Sequence, residues 1–316
     1  MMAPAPFYPE IAEGPDNGSC FWVGTGDGLR LRVGYWKATG RTKGTIFLFP
    51  GRTEYVELQG RTAKSFADRG FSICTIDWRG HGLSDRVLSN PVTLHVNRFS
   101  DYQYDVAAII AAASAVDMPK PWFLLGNSMG GCIGLRALLS GVSFSACAFT
   151  APMWGLRMSR VQSVVARPVS WAAQVIGQGE RYVPGHDGNN YALSNPFEGN
   201  RITRDPTNYE YWVSQARSKP CLQTAGSSMQ WLHQSLLECG HLSKTHPPDV
   251  PCIAFCGEQD GVVDIEVIRD RMNAWPNGRF ELMPGARHAL LLEVPKIRET
   301  VISEISDHFE SIQIAV

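Results

Sequence analysis

The chain has 316 residues, of which 44% are hydrophobic and 19% are charged, so it can bury a sizeable core and is not a disordered protein. Its 29 basic and 30 acidic residues give a formal net charge of −1, which does not favour nucleic acid as a partner. The eight cysteines form no Cys-x-x-Cys pair, and several lie in apolar runs. This usage favours a reducing compartment, and we predict a cytoplasmic protein.

The first part of the chain predicts an arm followed by a hairpin strand. Residues 1–20 are rich in Pro, Gly and Asp, and they lack the basic start and apolar core of a signal peptide. No run approaches about 18 apolar residues, so we expect no membrane span. Residues 28–37 alternate between apolar and polar types, which predicts a half-exposed antiparallel strand with Arg30 and Arg32 on its polar side.

Strands and helices alternate through most of the remaining sequence. Apolar runs predict strands at 44–49, 72–77, 122–125, 146–150, 253–256 and 280–283, the first two buried on both faces. Helices are predicted at 54–68, 100–115, 132–139, 230–239 and 294–309. This order predicts an α/β protein with a mostly parallel sheet and helices on both faces.

The alternation fails between residues 152 and 222. This stretch holds six prolines and eight aromatic residues and has no clear buried strand. Its aromatic content argues against a disordered linker, so we predict a helical cap over the carboxyl edge of the sheet. The predicted division is a core at 1–151, a cap insertion at 152–222 and a second part of the core at 223–316.

A Gly-x-Ser-x-Gly turn stands between the strand at 122–125 and the helix that follows it. Gly126 and Gly130 leave room for a sharp bend that exposes the hydroxyl of Ser128. The free N–H groups of the helix then face developing negative charge. We predict that Ser128 is a nucleophile rather than an ordinary serine in a glycine-rich turn.

A nucleophilic serine needs a base, and the base needs an acid that orients it. In a strand–turn–helix setting the chain order is Ser, then acid, then His. Asp260 follows a later strand and is the predicted acid, with Glu258 and Asp264 as rivals and a turn or cap role as the alternative. His288, in the loop between the last strand and the last helix, is the predicted base.

Two backbone N–H groups are predicted to form the oxyanion hole. One belongs to Met129, directly after the serine, and the other to Arg52 in the loop after an earlier strand. The alternative for that loop is a plain turn in which Glu54 favours the helix N-terminus. The segment 77–85 predicts a tight loop near the site floor, and its His81 has no neighbours at metal-ligand spacing, so we predict no metal site.

These motifs together resemble an α/β-hydrolase of the lysophospholipase and monoacylglycerol lipase group. The matching pieces lie at 50–54, 77–84, 126–131, 257–260 and 287–288, within resembling stretches at 40–155 and 225–312. The resemblance implies the α/β-hydrolase fold, a Ser128, Asp260 and His288 triad, and no metal or organic cofactor. The Gly-Arg-x-Glu loop is closer to bacterial lysophospholipases, whereas Asn127 replaces a histidine that is frequent in the family.

We therefore predict a serine hydrolase that cleaves carboxyl esters of single-chain lipids, either lysophospholipid or monoacylglycerol. The alternatives are an acyl transferase, a small-ester esterase, a proline iminopeptidase-like peptidase and a non-catalytic receptor on the same fold. The peptidase needs an anionic anchor, and the acidic cap residues Glu180, Asp187 and Glu198 leave that possibility open.

Three arginines at the start of the predicted cap are candidates to attract a phosphate: Arg157, Arg160 and Arg167. The alternative is that they form a solvated basic helix face. Any membrane contact is expected to be transient and made by the cap.

Overall fold

The computed structural model describes residues 2–314 and contains an eight-stranded sheet. Its strands are β1 (Ser19–Gly24), β2 (Arg30–Trp36), β3 (Thr45–Phe49), β4 (Ser72–Ile76), β5 (Trp122–Asn127), β6 (Ala146–Thr150), β7 (Cys252–Gly257) and β8 (Gly278–Met283). Every strand predicted from the sequence is present. Strand β1 begins inside the predicted arm, and the sequence does not predict it because it lacks a sustained alternation.

Ten α-helices occur in the described chain. They are α1 (Pro9–Ala12), α2 (Gly60–Ala67), α3 (Tyr102–Ala115), α4 (Met129–Leu139), α5 (Arg160–Val175), α6 (Tyr191–Ser194), α7 (Pro206–Ser218), α8 (Met229–Leu242), α9 (Ile265–Asn273) and α10 (Pro295–Ile314). Short 3-10 helices lie at Val56–Gln59, Phe99–Asp101, Pro220–Leu222 and Leu290–Leu292. Helix α2 begins later than predicted, because Glu54 bonds back to its own loop instead of starting the helix.

The sheet is mostly parallel, as predicted. Its strand order is β1-β2-β4-β3-β5-β6-β7-β8, and the pairs from β4 to β8 are all parallel. Strands β1 and β2 form an antiparallel hairpin, and β2 pairs antiparallel with β4. The carboxyl ends of the six parallel strands therefore share one edge, where loops can bring distant residues together.

Helices cover both faces of the sheet, which confirms the predicted layers. Phe47 and Phe49 of β3 point into one core with residues of α3, α4 and α9. Ile46 and Leu48 point into the opposite core with residues of α2 and α10. Successive side chains of one strand thus enter different cores, which explains why these strands are continuously apolar.

The stretch between β6 and β7 holds α5, α6, α7 and α8 and the 3-10 helix Pro220–Leu222. Within the described residues, 152–222 contributes no strand to the sheet, in keeping with its predicted helical character. Three of its aromatic residues, Tyr209, Tyr211 and Trp212 of α7, form a separate core with Tyr55 and Leu58 from the chain before α2. This segment is therefore packed on the carboxyl side of the sheet.

Arg32 of β2 departs from the prediction. The alternation placed it on the exposed side with Arg30, but its side chain is fully buried. The guanidinium forms ion pairs with Glu57 and Asp77, each at 2.7 Å, and both carboxylates are equally buried. These partners lie 25 and 45 residues further along the chain, so the local pattern could not reveal them.

The N-terminal segment is more than the predicted loop. The hydroxyl of Tyr211 in α7 donates to the carbonyl oxygen of Ala12 at 2.6 Å, and Gln215 donates to that of Ile11 at 2.6 Å. A Cβ on Gly60 of α2 would lie 1.8 Å from the same Ala12 oxygen, so this contact requires glycine. The segment therefore joins α7 to the core.

All eight cysteines are free thiols, and seven of them are buried, as expected for small core residues. Cys221, in the 3-10 helix after α7, is the exposed one, and its sulfur lies 3.8 Å from the Tyr8 hydroxyl.

Among residues 2–314, no helix combines the length and the apolar character that crossing a membrane requires.

Candidate active site

Ser128 stands at the bend between β5 and α4. Its backbone has φ +49° and ψ −115°, a conformation that non-glycine residues rarely adopt. The Ser128 N–H donates to the Thr150 carbonyl at 2.9 Å, and its carbonyl oxygen accepts from the Met153 N–H at 2.9 Å. The end of β6 and the chain after it thus fix the strained turn.

The two glycines that flank Ser128 are required by close packing. A Cβ on Gly126 would lie 2.8 Å from the Cα of Gly131, so strand and helix could not approach as they do. A Cβ on Gly130 would lie 2.0 Å from the carbonyl oxygen of Phe49 at the end of β3. The start of α4 therefore rests directly on the strand that leads to the Arg52 loop.

The structure brings the three predicted side chains Ser128, Asp260 and His288 together. His288 Nε2 lies 2.9 Å from Ser128 Oγ, and its Nδ1 lies 2.7 Å from Asp260 Oδ2. A carboxylate can only accept, so Nδ1 carries the ring proton and Nε2 is left to accept from the serine hydroxyl. This is the arrangement in which a serine can lose its proton to a histidine.

Asp260 is fully buried in the turn after β7. Burial alone would raise the pKa of its carboxyl, but the charge and hydrogen bond of His288 and the N–H of Val262 outweigh that effect and lower it. Its Oδ1 accepts from the N–H groups of Val262 and Val263 at 2.7 and 3.1 Å. The carboxylate is thus ionised and held in one orientation toward the ring.

The two rival acids have other partners. Asp264 is the N-cap of α9, where its side chain accepts from the N–H groups of Glu266 and Val267. Glu258 accepts from the N–H of Gly285 at 2.8 Å. The hydrogen bonds of His288 go to Asp260 and Ser128 and not to either rival, so the geometry favours Asp260.

The predicted oxyanion donors lie in two segments that pack against each other. Arg52 lines the same cavity as Ser128, and the Arg52 loop packs against the start of α4. Within the part of the chain that the structure describes, neither the Arg52 N–H nor the Met129 N–H donates to a protein acceptor. Both donors are therefore available to a substrate oxygen.

Glu54 has a role that the sequence analysis missed. One carboxylate oxygen accepts from the Gly51 N–H at 2.7 Å and the other from the Asn127 side chain at 2.8 Å. Burial raises the pKa of Glu54, and these hydrogen bonds oppose that shift. Glu54 thus braces the Arg52 loop against the residue before Ser128. The Gly-Arg-x-Glu motif predicts the oxyanion loop and a helix that begins at Glu54, but it gives no sign that the Glu54 carboxylate contacts Gly51 and Asn127.

The loop that carries His288 is held by the segment after α6. Ala289 N–H donates to the Ile202 carbonyl at 2.8 Å, and Arg287 Nη1 donates to the Thr203 carbonyl at 3.1 Å. In return, Thr203 Oγ1 donates to the Leu292 carbonyl at 2.7 Å. The predicted cap therefore helps to position the histidine. The sequence does not predict this contact, because residues 202–203 and 287–289 lie far apart along the chain.

The 77–85 segment forms the predicted tight loop, in which polar side chains bond to backbone groups. Asp77 accepts from the N–H groups of Val56 and Leu83, each at 2.8 Å, and Ser84 Oγ donates to the Asp77 carbonyl. A Cβ on Gly82 would lie 2.1 Å from the Asp77 carboxylate, so the loop needs glycine there. His81 is buried, with Nδ1 3.0 Å from the Arg79 carbonyl oxygen.

A cavity of about 640 Å³ opens above Ser128 and His288. Part of its wall is apolar, formed by side chains from the core and from 152–222: Leu58, Tyr191, Ile202, Trp212, Val262 and Leu292. Of the predicted phosphate-attracting arginines, Arg157 lines this cavity, whereas Arg160 and Arg167 lie exposed on α5, as a solvated face would. The volume is within the usual range for small-molecule sites.

The family profile described as "Serine aminopeptidase, S33" matches residues 40–295, which is most of the chain. The chain belongs to this family. The part of this chain that matches the serine aminopeptidase family includes the Arg52 loop, the Ser128 bend, Asp260 and His288.

Two bacterial proteins are similar to this member of the serine aminopeptidase family along most of their length. Lysophospholipase L2 of Escherichia coli (strain K12) is 29% identical over 284 residues, which cover 84% of this chain and 79% of that protein. Probable lysophospholipase L2 of Haemophilus influenzae is 26% identical over 270 residues, which cover 85% and 84%.

A solved structure is similar as well. The crystal structure of a soluble variant of monoglyceride lipase from Saccharomyces cerevisiae has a TM-score of 0.69 and 21% identity, and the match covers 92% of this chain and 94% of that one. At this identity the likeness establishes the fold. It is the α/β-hydrolase fold that the sequence predicts.

Proposed function

We propose that this chain is a serine hydrolase that cleaves carboxyl esters through an acyl-enzyme mechanism. The observation that carries the proposal is that His288 lies within hydrogen-bond distance of both Ser128 and Asp260 beneath an open cavity. The relatives named as lysophospholipases support an ester as the substrate.

Each proposed residue has one chemical role. His288 Nε2 takes the proton of Ser128 as Oγ attacks the ester carbonyl, and ionised Asp260 stabilises the imidazolium. The N–H groups of Arg52 and Met129 donate to the oxyanion. His288 then gives the proton to the departing alcohol, and the acyl group stays on Ser128. Water attacks the acyl-enzyme with His288 again as base, which releases the acid and requires no cofactor.

A single-chain lipid ester is the proposed substrate class. The apolar part of the wall, which includes Leu58, Ile202, Trp212 and Leu292, offers a surface for one acyl chain. Each methylene that is fully buried there contributes about 0.8 kcal/mol, so kcat/KM should rise by up to about 15-fold for every two carbons until the cavity is full.

A peptidase is the second candidate, since the family description names a serine aminopeptidase. Such an enzyme needs an anionic anchor for the free amine of its substrate. The acidic cap residues Glu180, Asp187 and Glu198 do not line the cavity, and the carboxylate of Glu54, which does, is engaged by Gly51 and Asn127. Esters are therefore the better fit.

The test is a comparison of substrates with Ser128→Ala as the blank. Turnover of p-nitrophenyl esters from acetate to laurate separates an enzyme from a receptor, because a receptor releases almost no nitrophenol. Release of fatty acid from lysophosphatidylcholine or monoacylglycerol supports the lipid ester. A preference for acetate, with no fatty acid released, leaves a small-ester esterase, and release of naphthylamine from prolyl-β-naphthylamide favours the peptidase.

The proposed cap, 152–222, also carries a surface suited to lipid. Large apolar side chains of α5 are exposed, among them Val161 at 70%, Val164 at 72% and Trp171 at 57%. Arg160 and Arg167 are exposed on the same helix, a combination that suits an anionic lipid surface. We propose that α5 contacts such a surface and brings the cavity to its lipid substrate.

Sedimentation with vesicles tests this contact. The chain should sediment with phosphatidylglycerol vesicles more than with phosphatidylcholine vesicles, and Val164→Glu should weaken that binding. Glu266→Gln, an exposed change on helix α9 rather than on α5, is the control. Equal binding by Val164→Glu, or a dimer in solution that Val164→Glu dissolves, contradicts the lipid contact and points to a second copy of the chain on α5.

A further inference from the structure

The proposed substrate cavity carries an unbalanced positive charge. The side chains of Arg52, Arg157 and Arg201 all line it. Within residues 2–314, none of the three forms an ion pair with a carboxylate. The carboxylate of Glu54 lies on the same wall, but it accepts from Gly51 and Asn127 instead of pairing with a guanidinium.

Arg52 is the most enclosed of the three arginines. Its Nη1 donates to Ser227 Oγ at 3.0 Å, and its guanidinium carbon lies 5.8 Å from the centre of the Trp231 ring. Burial lowers the pKa of Arg52, since no carboxylate compensates for the lost water. A desolvated cation without an anionic partner is unfavourable, and an anionic ligand would supply the missing partner.

A second donor stands beside Arg52. His186 lines the cavity, and its Nδ1 accepts from the Ser227 N–H at 3.1 Å. Burial lowers the pKa of His186, so the ring is neutral at physiological pH and carries its proton on Nε2. Ser227 thus places a guanidinium and an imidazole N–H on the same part of the wall.

The other two arginines extend the positive wall along the turn that holds Asp260. Arg157 Nη1 donates to the Asp260 carbonyl oxygen. The Cδ of Arg201 lies 3.4 Å from the place where a Cβ on Gly261 would stand. Both side chains are exposed, so they reach the solvent side of the cavity.

Resting on the proposed ester hydrolysis, we infer that this cavity selects lipid esters that carry a phosphate. Arg52 binds the phosphate oxygens of a lysophospholipid with its planar fork, and Arg157 and Arg201 add attraction toward the mouth. The acyl chain lies along the apolar wall. A neutral monoacylglycerol leaves Arg52 without a partner and is the poorer substrate.

The experiment compares kcat/KM for two lipids with the same dodecanoyl chain, lysophosphatidylglycerol and monoacylglycerol, both below their micellar concentrations. The wild-type chain should favour lysophosphatidylglycerol. Arg52→Gln should lower the ratio of the two kcat/KM values at least about 10-fold, the effect of losing a hydrogen bond to a charged group. Arg52→Lys keeps the charge but loses the fork, so its ratio should be intermediate.

The same ratio of kcat/KM values is measured for substitutions of the two exposed arginines and for a control variant. Arg157→Gln and Arg201→Gln should each lower the ratio by about 2- to 5-fold, because exposed charge contacts are weaker. Arg217→Gln, on the outer side of α7 with its side chain 70% exposed, should leave the ratio unchanged.

Three outcomes overturn the inference. A wild-type preference for monoacylglycerol contradicts it directly. An equal loss on both lipids in Arg52→Gln indicates that the side chain only supports the loop. Hydrolysis of p-nitrophenyl esters without action on either lipid rejects the phosphate subsite and leaves ester hydrolysis intact, whereas no hydrolysis of any ester rejects the proposed function as well.

Discussion

The side-chain amide of Asn127 donates to Glu54 Oε1 at 2.8 Å, which joins the residue before Ser128 to the loop that carries Arg52. Asn127 in turn accepts from the Thr150 hydroxyl at 2.9 Å, at the end of β6. Three neighbouring strands are thus linked at their carboxyl ends by side chains. The link fixes the distance between the two proposed oxyanion donors, because one lies in each of the joined segments.

Replacement of Glu54 tests this link. In Glu54→Gln one acceptor oxygen becomes an amide donor that faces the donors of Gly51 or Asn127. We expect kcat for a p-nitrophenyl ester to fall about 10- to 100-fold from the misplaced loop, with a smaller change in KM. Glu266→Gln, an exposed change on α9, is the matched control. Unchanged kcat with an unaltered circular dichroism spectrum contradicts the role given to Glu54.

Removal of the proposed nucleophile has the largest expected effect. Ser128→Ala should lower kcat by about 10⁴ to 10⁶ while leaving the fold intact, since the change removes one oxygen at a preformed site. A serine-directed phosphonate should add once to the wild-type chain, and peptide mass spectrometry should find it on Ser128. A label elsewhere, or a variant that keeps a tenth of the activity, rejects the assignment.

The acid is tested by three parallel substitutions. Asp260→Asn should lower kcat by about 10³ to 10⁴, because the amide cannot hold the same tautomer of His288. Asp264→Asn and Glu258→Gln should change kcat little, and asparagine still caps α9. If either of these two is the damaging change instead, the acid is misassigned.

The lowered pKa of Asp260 also predicts a pH effect on stability. The folded-state pKa lies below the unfolded value of about 3.9, so the ionised carboxylate stabilises the fold above about pH 4. That contribution is lost as the pH falls through the lower folded-state value. In urea unfolding between about pH 3 and pH 6, the wild type should lose stability more steeply at the acid end than Asp260→Asn. Parallel pH curves contradict this prediction.

The buried ion pairs of Arg32 predict a strong effect on stability. In Arg32→Leu the carboxylates of Glu57 and Asp77 remain buried without their cation. We expect a loss of about 3–5 kcal/mol in the free energy of unfolding, measured with urea. Arg30→Gln, on the exposed side of the same strand, should lose less than about 1 kcal/mol. Similar losses in the two variants indicate that the buried network does not stabilise the fold.

Local patterns predict the layers of this fold and the places of its proposed catalytic residues. The apolar runs locate the strands because each strand is buried on two faces, and chain order then selects Asp260 and His288 from many candidates. Both follow strand ends, and parallel strands bring their carboxyl ends to one edge. Short motifs are sufficient to locate Asp260 and His288 because the parallel sheet itself brings these distant residues together.

The remaining features depend on contacts between distant residues. Arg32 alternates like an exposed residue, yet partners 25 and 45 residues away bury it. Glu54 precedes a helix, yet its carboxylate accepts a hydrogen bond from Asn127, which lies 73 residues further along the chain. Arg201 sits in a stretch without regular periodicity, so only the packed segment reveals that it lines the cavity.

The exposed thiol of Cys221 is a site at which the native chain can be labelled with a fluorescent dye. Because the other seven cysteines are buried, a maleimide fluorophore should attach at this position without any substitution. The sulfur lies 3.8 Å from the Tyr8 hydroxyl, and nearby Lys219 pairs with Glu10 at 2.9 Å, so the dye would sit where the N-terminal segment meets the end of α7. Its emission would report when these two parts separate, in real time and during turnover.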